Sequence, residues 1–311
     1  MNAFINKKRM LLSMLKKIKP IYWMFYEAFC KVLSTLSPVL ASKFFYKKAN
    51  GKPLNLSNPQ GFNEKLMWLK LNTYSDNPLV AQCADKYRVR EYVKKRGCPE
   101  ILNELIAVWE SVDEIDWDSL PDKFAIKCNH GCKYNIICED KSKLDIKKAK
   151  KKLRAWMRKD YWRKRAEVHY RHIPKRIICE KYLNTGTGSL PIDYKFYCFH
   201  GEPRLVLACL DRGSNVKLFL FDLNWNLLDY GGTPDGTKVE KPASFSRMVE
   251  YSKKLAGDFP FVRIDFYECG GNPVFGEMTF TPAACLAQHY TEKGQIELGK
   301  MINLDLAKQP R

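Results

Sequence analysis

Residues able to do chemistry lie closest together between Phe261 and Pro282, in FVRIDFYECGGNPVFGEMTFTP. The stretch reads as a β-hairpin. Aromatic and β-branched residues flank Cys269-Gly270-Gly271-Asn272, which supplies the positive φ values that a tight reversal needs. Alternation puts Val262, Ile264 and Phe266 on one face of the first strand and Arg263, Asp265 and Tyr267 on the other. On the return strand Glu277 and Thr279 share a face. A three-residue loop, Gly270 to Asn272, predicts Asp265 across from Glu277 and Arg263 across from Thr279. Two carboxylates side by side repel each other unless a cation or a proton lies between them. A few hard oxygen ligands suit a Mg²⁺ that also holds a phosphate, and Arg263 beside them suits a phosphate oxygen. The same alternation also fits a solvated surface hairpin in which Arg263 pairs with Asp265.

Such a hairpin needs other elements to position it. After a breaker-rich boundary between Asn50 and Gly61, Phe62 opens a helix with Asn63 as its N-cap and Phe62 stapled to Met67. A second helix carries Lys86 within Ala84 to Val93 and stops at Gly97. From Asp122 the pattern becomes KFAIKCNHGCKYNIIC, two short apolar runs joined by a turn at Gly131, with Lys127 ending the first run. His130 either touches a phosphate or holds that turn. The residues from Lys141 to Lys175 read as a basic helical stretch. Its Trp156, Tyr161, Trp162 and Tyr170 either grip an anionic polymer or pack against the domain. Ile177 to Leu183 reads as a buried strand ending at a loop, and Asp193 to Tyr197 begins another strand after a glycine-rich loop. Further strands run from Pro203 to Ala208 and from Val216 to Leu223, with Arg212 between them as a candidate phosphate ligand.

The 311 residues carry a formal net charge of +19 and are 45% apolar, enough for a sizeable core. That charge favours anionic partners: nucleotide phosphates, acidic glycans or a membrane surface. No zinc-finger spacing, no RNP-type aromatic run and no basic region with heptads appears, so no specific nucleic-acid partner is expected. The eleven cysteines are scattered singly through apolar runs and read as small buried residues in a reducing cytoplasm. Cys128, His130, Cys132 and Cys138 match no common zinc spacing. The first sixty residues hold Lys7, Lys8, Arg9, Lys16, Lys17 and Lys19 against the single acid Glu27. Behind them Ile21, Met24, Phe25, Ala28, Phe29, Val32, Leu33 and Leu36 recur with helical spacing. This helix either packs on the domain or lies in the plane of an anionic membrane.

The spacing Arg263-x-Asp265, then Gly276-Glu277-x-Thr279-Phe280-Thr281-Pro282, resembles the metal hairpin of the ATP-grasp ligases. Residues 60 to 290 resemble the TupA-like branch, found with genes for cell-surface polysaccharides. The resemblance implies an α+β ATP-grasp fold whose subdomains clamp a nucleotide. Its divisions would be a basic helical extension over 1–60, an N-terminal subdomain over 61–120, a central lid over 121–185 and a C-terminal subdomain with the metal hairpin over 186–311. It implies ATP and Mg²⁺ as cofactors, with Asp265, Glu277 and Thr279 as metal ligands; family members usually carry Asn where this chain has Thr279. Lys86, Lys127 and the turn at Gly131 would hold the phosphates, and the backbone from Glu180 through Lys181 and Tyr182 to Leu183 would recognise adenine. Asp193 or Lys195, depending on register, would face the nucleotide. Lys127 and Arg263 would stabilise charge on the transferred group. The implied activity is carboxylate–amine ligation through an acyl phosphate, joining an amino acid or peptide amine to an acidic glycan or lipid-linked sugar acid. Its setting would be the cytoplasm or the inner face of the plasma membrane. Two other readings stand: a glycosyltransferase, although Asp116-x-Asp118 is remote from the hairpin, and a nucleotide-binding relative without turnover.

Overall fold

The computed structural model describes residues 22–183, 191–211 and 216–307. The basic leader, the glycine-rich loop before Asp193, and Arg212 lie outside them. Two antiparallel sheets carry the residues singled out above. The smaller contains Leu105–Trp109 (β1), Phe124–Cys128 (β2), Asn135–Cys138 (β3) and Ile177–Lys181 (β4), in the order β1-β4-β2-β3. The larger contains Asp193–Phe199 (β5), Glu202–Leu210 (β6), Lys217–Asp222 (β7), Leu227–Gly232 (β8), Phe261–Cys269 (β9) and Asn272–Thr279 (β10), in the order β10-β9-β5-β6-β7-β8. Around them run the helices 22–36 (α1), Pro38–Asn50 (α2), Phe62–Asn72 (α3), Pro78–Ala84 (α4), Val89–Lys95 (α5), Ile146–Met157 (α6), Phe245–Ala256 (α7), Glu292–Lys300 (α8) and Leu304–Ala307 (α9). The α+β class expected from the sequence is observed.

Each sheet has its own core. In the larger sheet Phe196 pairs laterally with Val206 and Ile264, all three fully buried, and meets Phe245 of α7. On the opposite face Lys195 pairs with Asp265 and Tyr197 with Arg263, and Phe62 of α3 stacks on Tyr197 with ring centroids 6.1 Å apart. Alternation thus sends apolar residues toward α7 and the charged ones toward the other side. The smaller sheet packs Phe124, Ile126, Ile177 and Cys179 against Ala149 and Leu153 of α6. β1 falls in the stretch expected as the N-terminal subdomain, yet it pairs with β4, so the small sheet gathers strands from 105 to 181.

Several local expectations are corrected. The hairpin loop has two residues, not three: Asn272 pairs with Cys269, and Gly270 and Gly271 take φ of 55° and 70°. A bulge between Phe275 and Glu277 inserts Gly276 and restores the register, so Asp265 still meets Glu277 and Arg263 still meets Thr279. α3 is capped at Gly61, with the Glu64 carboxylate accepting from the Gly61 and Gln60 N–H groups. Asn63 lies inside that helix and donates to the Ala287 carbonyl at 2.7 Å. The basic stretch 141–175 is not one helix; α6 ends at Met157, and the short 3₁₀ segments Tyr161–Lys164 and Val168–His172 follow. In α1, Tyr26, Cys30 and Leu33 pack with Ala41, Phe45 and Ala166, whereas Met24, Phe25, Phe29, Val32 and Leu36 are exposed. No helix among the described residues is long and apolar enough to cross a membrane.

The two-residue turn demands positive φ at both positions, which a β-branched residue resists. Gly271→Val is therefore expected to destabilise the chain by about 1–2 kcal/mol, read as a lower urea midpoint. An unchanged midpoint would show that the turn does not hold the hairpin in register.

Candidate active site

The β9–β10 hairpin places three side chains around one nitrogen of Arg263. The Arg263 guanidinium grips Asp265 in bidentate fashion, Nε donating to Oδ1 and Nη2 to Oδ2, both at 2.7 Å. The same Nη2 donates to Thr279 Oγ1 at 3.1 Å and to Glu277 Oε1 at 3.3 Å. Thr279 also donates to Glu277 at 3.3 Å. Asp265 is 1% exposed, so a carboxylate there needs donors of this kind around it. The pairing of Arg263 with Asp265, one of the two arrangements open at the sequence level, is present; it occurs in a buried cluster rather than on a solvated face.

Two lysines complete the cluster from other elements. Asp193 and Lys195 share a face of β5, two residues apart, so register does not choose between them. Lys195 Nζ donates to Asp265 Oδ2 at 2.7 Å and also to Asp193 Oδ2. Lys86 does not lie in a helix: α4 ends at Ala84 and α5 begins at Val89. Between them the Asp85 carboxylate accepts from the Tyr87 and Arg88 N–H groups and holds a turn. From that turn Lys86 Nζ reaches Glu277 Oε2 at 3.2 Å. Three carboxylates, Asp193, Asp265 and Glu277, thus meet three cations. Burial alone would raise the Glu277 carboxyl; Lys86, Arg263 and Lys195 outweigh it and hold the group at about 2. Burial likewise opposes the charge on Lys195, and Asp265 and Asp193 push its pKa upward.

Lys127 and the end of β4 form a second cluster on the small sheet. Lys127 Nζ donates to Glu180 Oε2 at 2.6 Å, and Arg90 of α5 lies 3.4 Å from Oε1. Lys181 pairs with Glu104 at 3.2 Å, the Tyr182 hydroxyl donates to Glu139 at 3.3 Å, and Leu183 is half-buried. Gly131 sits where a Cβ would come within 2.7 Å of Tyr161 and 2.9 Å of Tyr134, so the position requires glycine for space. The positive φ of this turn falls on Lys133, at 61°. His130 is buried, with Nε2 3.2 Å from the Trp156 carbonyl, and so holds the turn against the end of α6. Burial lowers its pKa to about 4.

Sequence reasoning missed the residues that join the two clusters. Asn129 donates to Asp85 Oδ1 and to the Pro174 carbonyl, both at 2.8 Å, and its carbonyl accepts from Lys86 N–H at 3.4 Å. Asn129 ties the turn after β2 to the segment that carries Lys86. Asn129 directly follows Lys127-Cys128, but nothing in the sequence pairs it with Asp85. Arg90 was missed for the same reason.

The donor set suits a hard divalent cation, because three oxygens, from Asp265, Glu277 and Thr279, already converge on one cationic nitrogen. Among the described residues no three Asp, Glu, His or Cys side chains gather as a metal-binding group, so a bound ion would need oxygens from its nucleotide as well.

Residues 64–303 match the model of the TupA-like ATP-grasp family, and the chain belongs to that family. The two-sheet architecture is accordingly an ATP-grasp fold. No curated protein matches. Among solved structures the chain is similar to Bacillus anthracis D-alanine–D-alanine ligase complexed with ATP, at 14% identity and a TM-score of 0.41. That match covers 73% of this chain and 65% of the ligase, so the chain spans less than two thirds of the ligase's length. It is also similar to D-cycloserine synthetase DcsG, at 15% identity and TM-score 0.42, covering 75% of this chain and 73% of that one. An ADP complex of the N5-carboxyaminoimidazole ribonucleotide synthetase PurK matches at 12% identity and TM-score 0.43, covering 73% and 56% of the two chains.

The depressed Glu277 pKa fixes a pH window. Its ion pairs contribute stability that is complete above the ordinary carboxyl value of 4.5 and is lost as pH falls toward about 2. The stability difference between the parent chain and Glu277→Gln should therefore be constant above pH about 5 and shrink steadily below it. Parallel acid-denaturation curves for the two proteins would contradict the assignment.

Proposed function

We propose that the chain is an ATP-dependent carboxylate–amine ligase that works through an acyl phosphate, and that it uses Mg²⁺. The observation that carries this reading is the convergence of Asp265, Glu277 and Thr279 on Arg263 Nη2 within an ATP-grasp fold. Asp265 and Glu277, with Thr279, would hold the ion, which when bound neutralises the β- and γ-phosphates. Arg263 and Lys127 would stabilise charge developing on the transferred phosphoryl group, and Lys86 and Lys195 would bind phosphate oxygens. The turn at Gly131 would close over the phosphates, and the peptide groups from Glu180 to Leu183 would bind adenine. The divisions at 60, 120 and 185 belong to the same reading, with the hinge between lid and C-terminal subdomain.

The acceptor in this reading is an acidic glycan or lipid-linked sugar acid and the amine comes from an amino acid or peptide, in the biosynthesis of a cell-surface polysaccharide. The net charge of +19 supports an acidic partner and peripheral contact with an anionic membrane on its cytoplasmic side.

One observation favours a second reading, a nucleotide-binding relative without turnover. Every carboxylate of the cluster already has a cation of the protein's own. Adding a divalent ion alone, or a triphosphate alone, would upset that balance in a buried setting. ATP and Mg²⁺ should therefore bind together, each raising affinity for the other by on the order of tenfold or more in calorimetric titration. Independent binding would remove the cluster from the nucleotide site.

Turnover separates the two readings. ADP and phosphate release from ATP is measured with uronic-acid glycans and amino acids present or withheld. Turnover that requires both partners and falls by about 10²–10³ in Glu277→Gln is the expected result. Nucleotide binding without turnover in any combination would favour the second reading.

A further inference from the structure

A cavity of about 450 Å³ lies between the turn after α6 and the start of β4, apart from the carboxylate cluster. Its size falls among cavities that hold small ligands. Trp162, Arg163, Arg171 and Lys175 line it, with His130 and Tyr161 toward the lid. Trp162 is buried, and the guanidinium carbons of Arg163 and Arg171 stand 5.4 and 5.7 Å from its ring. The indole thus steadies two cations at the cavity wall. Lys175 donates to Asp160 Oδ1 at 3.0 Å, and Arg163 Nε is 3.6 Å from Oδ2. Asp160 is the one acid among the lining residues, so the positive groups outnumber it and the cavity favours an anion.

The rim of this cavity includes Thr35 of α1. One turn back and one residue on lie Val32 and Leu36, 56% and 79% exposed, and the exposed strip continues through Phe29 and Phe25. Trp23 stands exposed at the same end of the helix. Along residues 22–50 the basic Lys31, Lys43, Lys47 and Lys48 face the single acid Glu27. An aromatic-rich apolar strip with basic neighbours complements the interface of an anionic bilayer. A cavity that favours anions therefore opens beside a surface that favours lipid.

We propose that the cavity takes the anionic headgroup of a membrane-borne amphiphile while the exposed strip of α1 rests in the same leaflet. The proposal deepens the reading above by giving a lipid-linked acidic acceptor its place, and rests on that reading only for the acceptor's role. Tyr161 lines the cavity and also packs against Gly131, so the headgroup site and the lid turn share one aromatic wall.

The test is sedimentation of the full chain with phosphatidylcholine vesicles, with and without phosphatidylglycerol. The chain should bind the phosphatidylglycerol vesicles more strongly, and Phe25→Glu/Phe29→Glu should abolish binding. Arg163→Ala/Arg171→Ala should weaken binding to the anionic vesicles by about tenfold or more, and Lys147→Ala/Lys151→Ala, which removes equal charge from the exposed start of α6, by less than about twofold. Equal losses in the two charge-removing pairs, or undiminished binding without Arg163 and Arg171, would overturn the cavity assignment. Arg171→Ala alone, which removes only the guanidinium standing over Trp162, repeats the test if the double variant does not fold. Soluble glycerol phosphate and glucuronate compete in separate arms. Displacement by the first identifies a phosphate headgroup, by the second a carboxylated sugar, and displacement by neither overturns the proposal. A chain that binds no vesicle but forms a dimer dissociated by Phe25→Glu/Phe29→Glu would assign the strip to a second copy and also overturn it. Stabilisation by ATP with Mg²⁺, measured on each variant, reports separately on the nucleotide reading.

Discussion

The bidentate grip of Arg263 on Asp265 is the constraint around which the charged half of the structure is arranged. A carboxylate 1% exposed must be matched by donors that cannot drift away, and strand neighbours satisfy that condition better than loop residues. β9 supplies both partners two residues apart on one face, and β5, pairing beside it, brings Lys195 directly across from Asp265. β10 adds Glu277 and Thr279 from the other side. Only Lys86 arrives from outside the sheet, and its turn is fixed by the Asp85 carboxylate and tied to the small sheet through Asn129. Removing either member of such a group strands the other charge, so the network is best regarded as a unit.

This arrangement explains why the hairpin was legible in the sequence and why its details were not. Alternation along β9 and β10 is a local property, and the glycine pair marks the reversal. The expected three-residue loop is nonetheless absent. A two-residue turn shifts the pairing by one, and the bulge at Gly276 shifts it back, so the carboxylates meet as expected for a different reason. Register inferred from one end of a hairpin is blind to a bulge further along.

Where the sequence reading failed, the missing information was nonlocal. The run from Ala84 to Val93 has helical composition, but Asp85 accepts from the two N–H groups ahead of it and from Asn129, and that competition breaks the helix where Lys86 must turn toward Glu277. The Glu180 carboxylate is shared by Lys127 and Arg90, residues from β2 and α5, a meeting visible only once β2 and β4 are paired. In α1 the helical period located the apolar residues correctly but not the side that packs. The smaller strip of Tyr26, Cys30 and Leu33 meets α2 and Ala166, leaving the larger residues outside. Periodicity reports that a helix has two sides; the partner decides which one is covered.

The two charge clusters also differ in what they allow. The Arg263 cluster sets three acids against three cations, and all of them but Lys86 stand on the strands of the larger sheet. Glu180 sits on the four-stranded sheet, and among the described residues its cationic partners are Lys127 and Arg90. Asn129 and Lys86 connect them by a backbone hydrogen bond and one side-chain amide. The Lys86 N–H and the Asp85 carboxylate both bond to Asn129, so the backbone that carries Lys86 is fixed to the turn after β2, and the point from which its side chain reaches Glu277 is set by the small sheet.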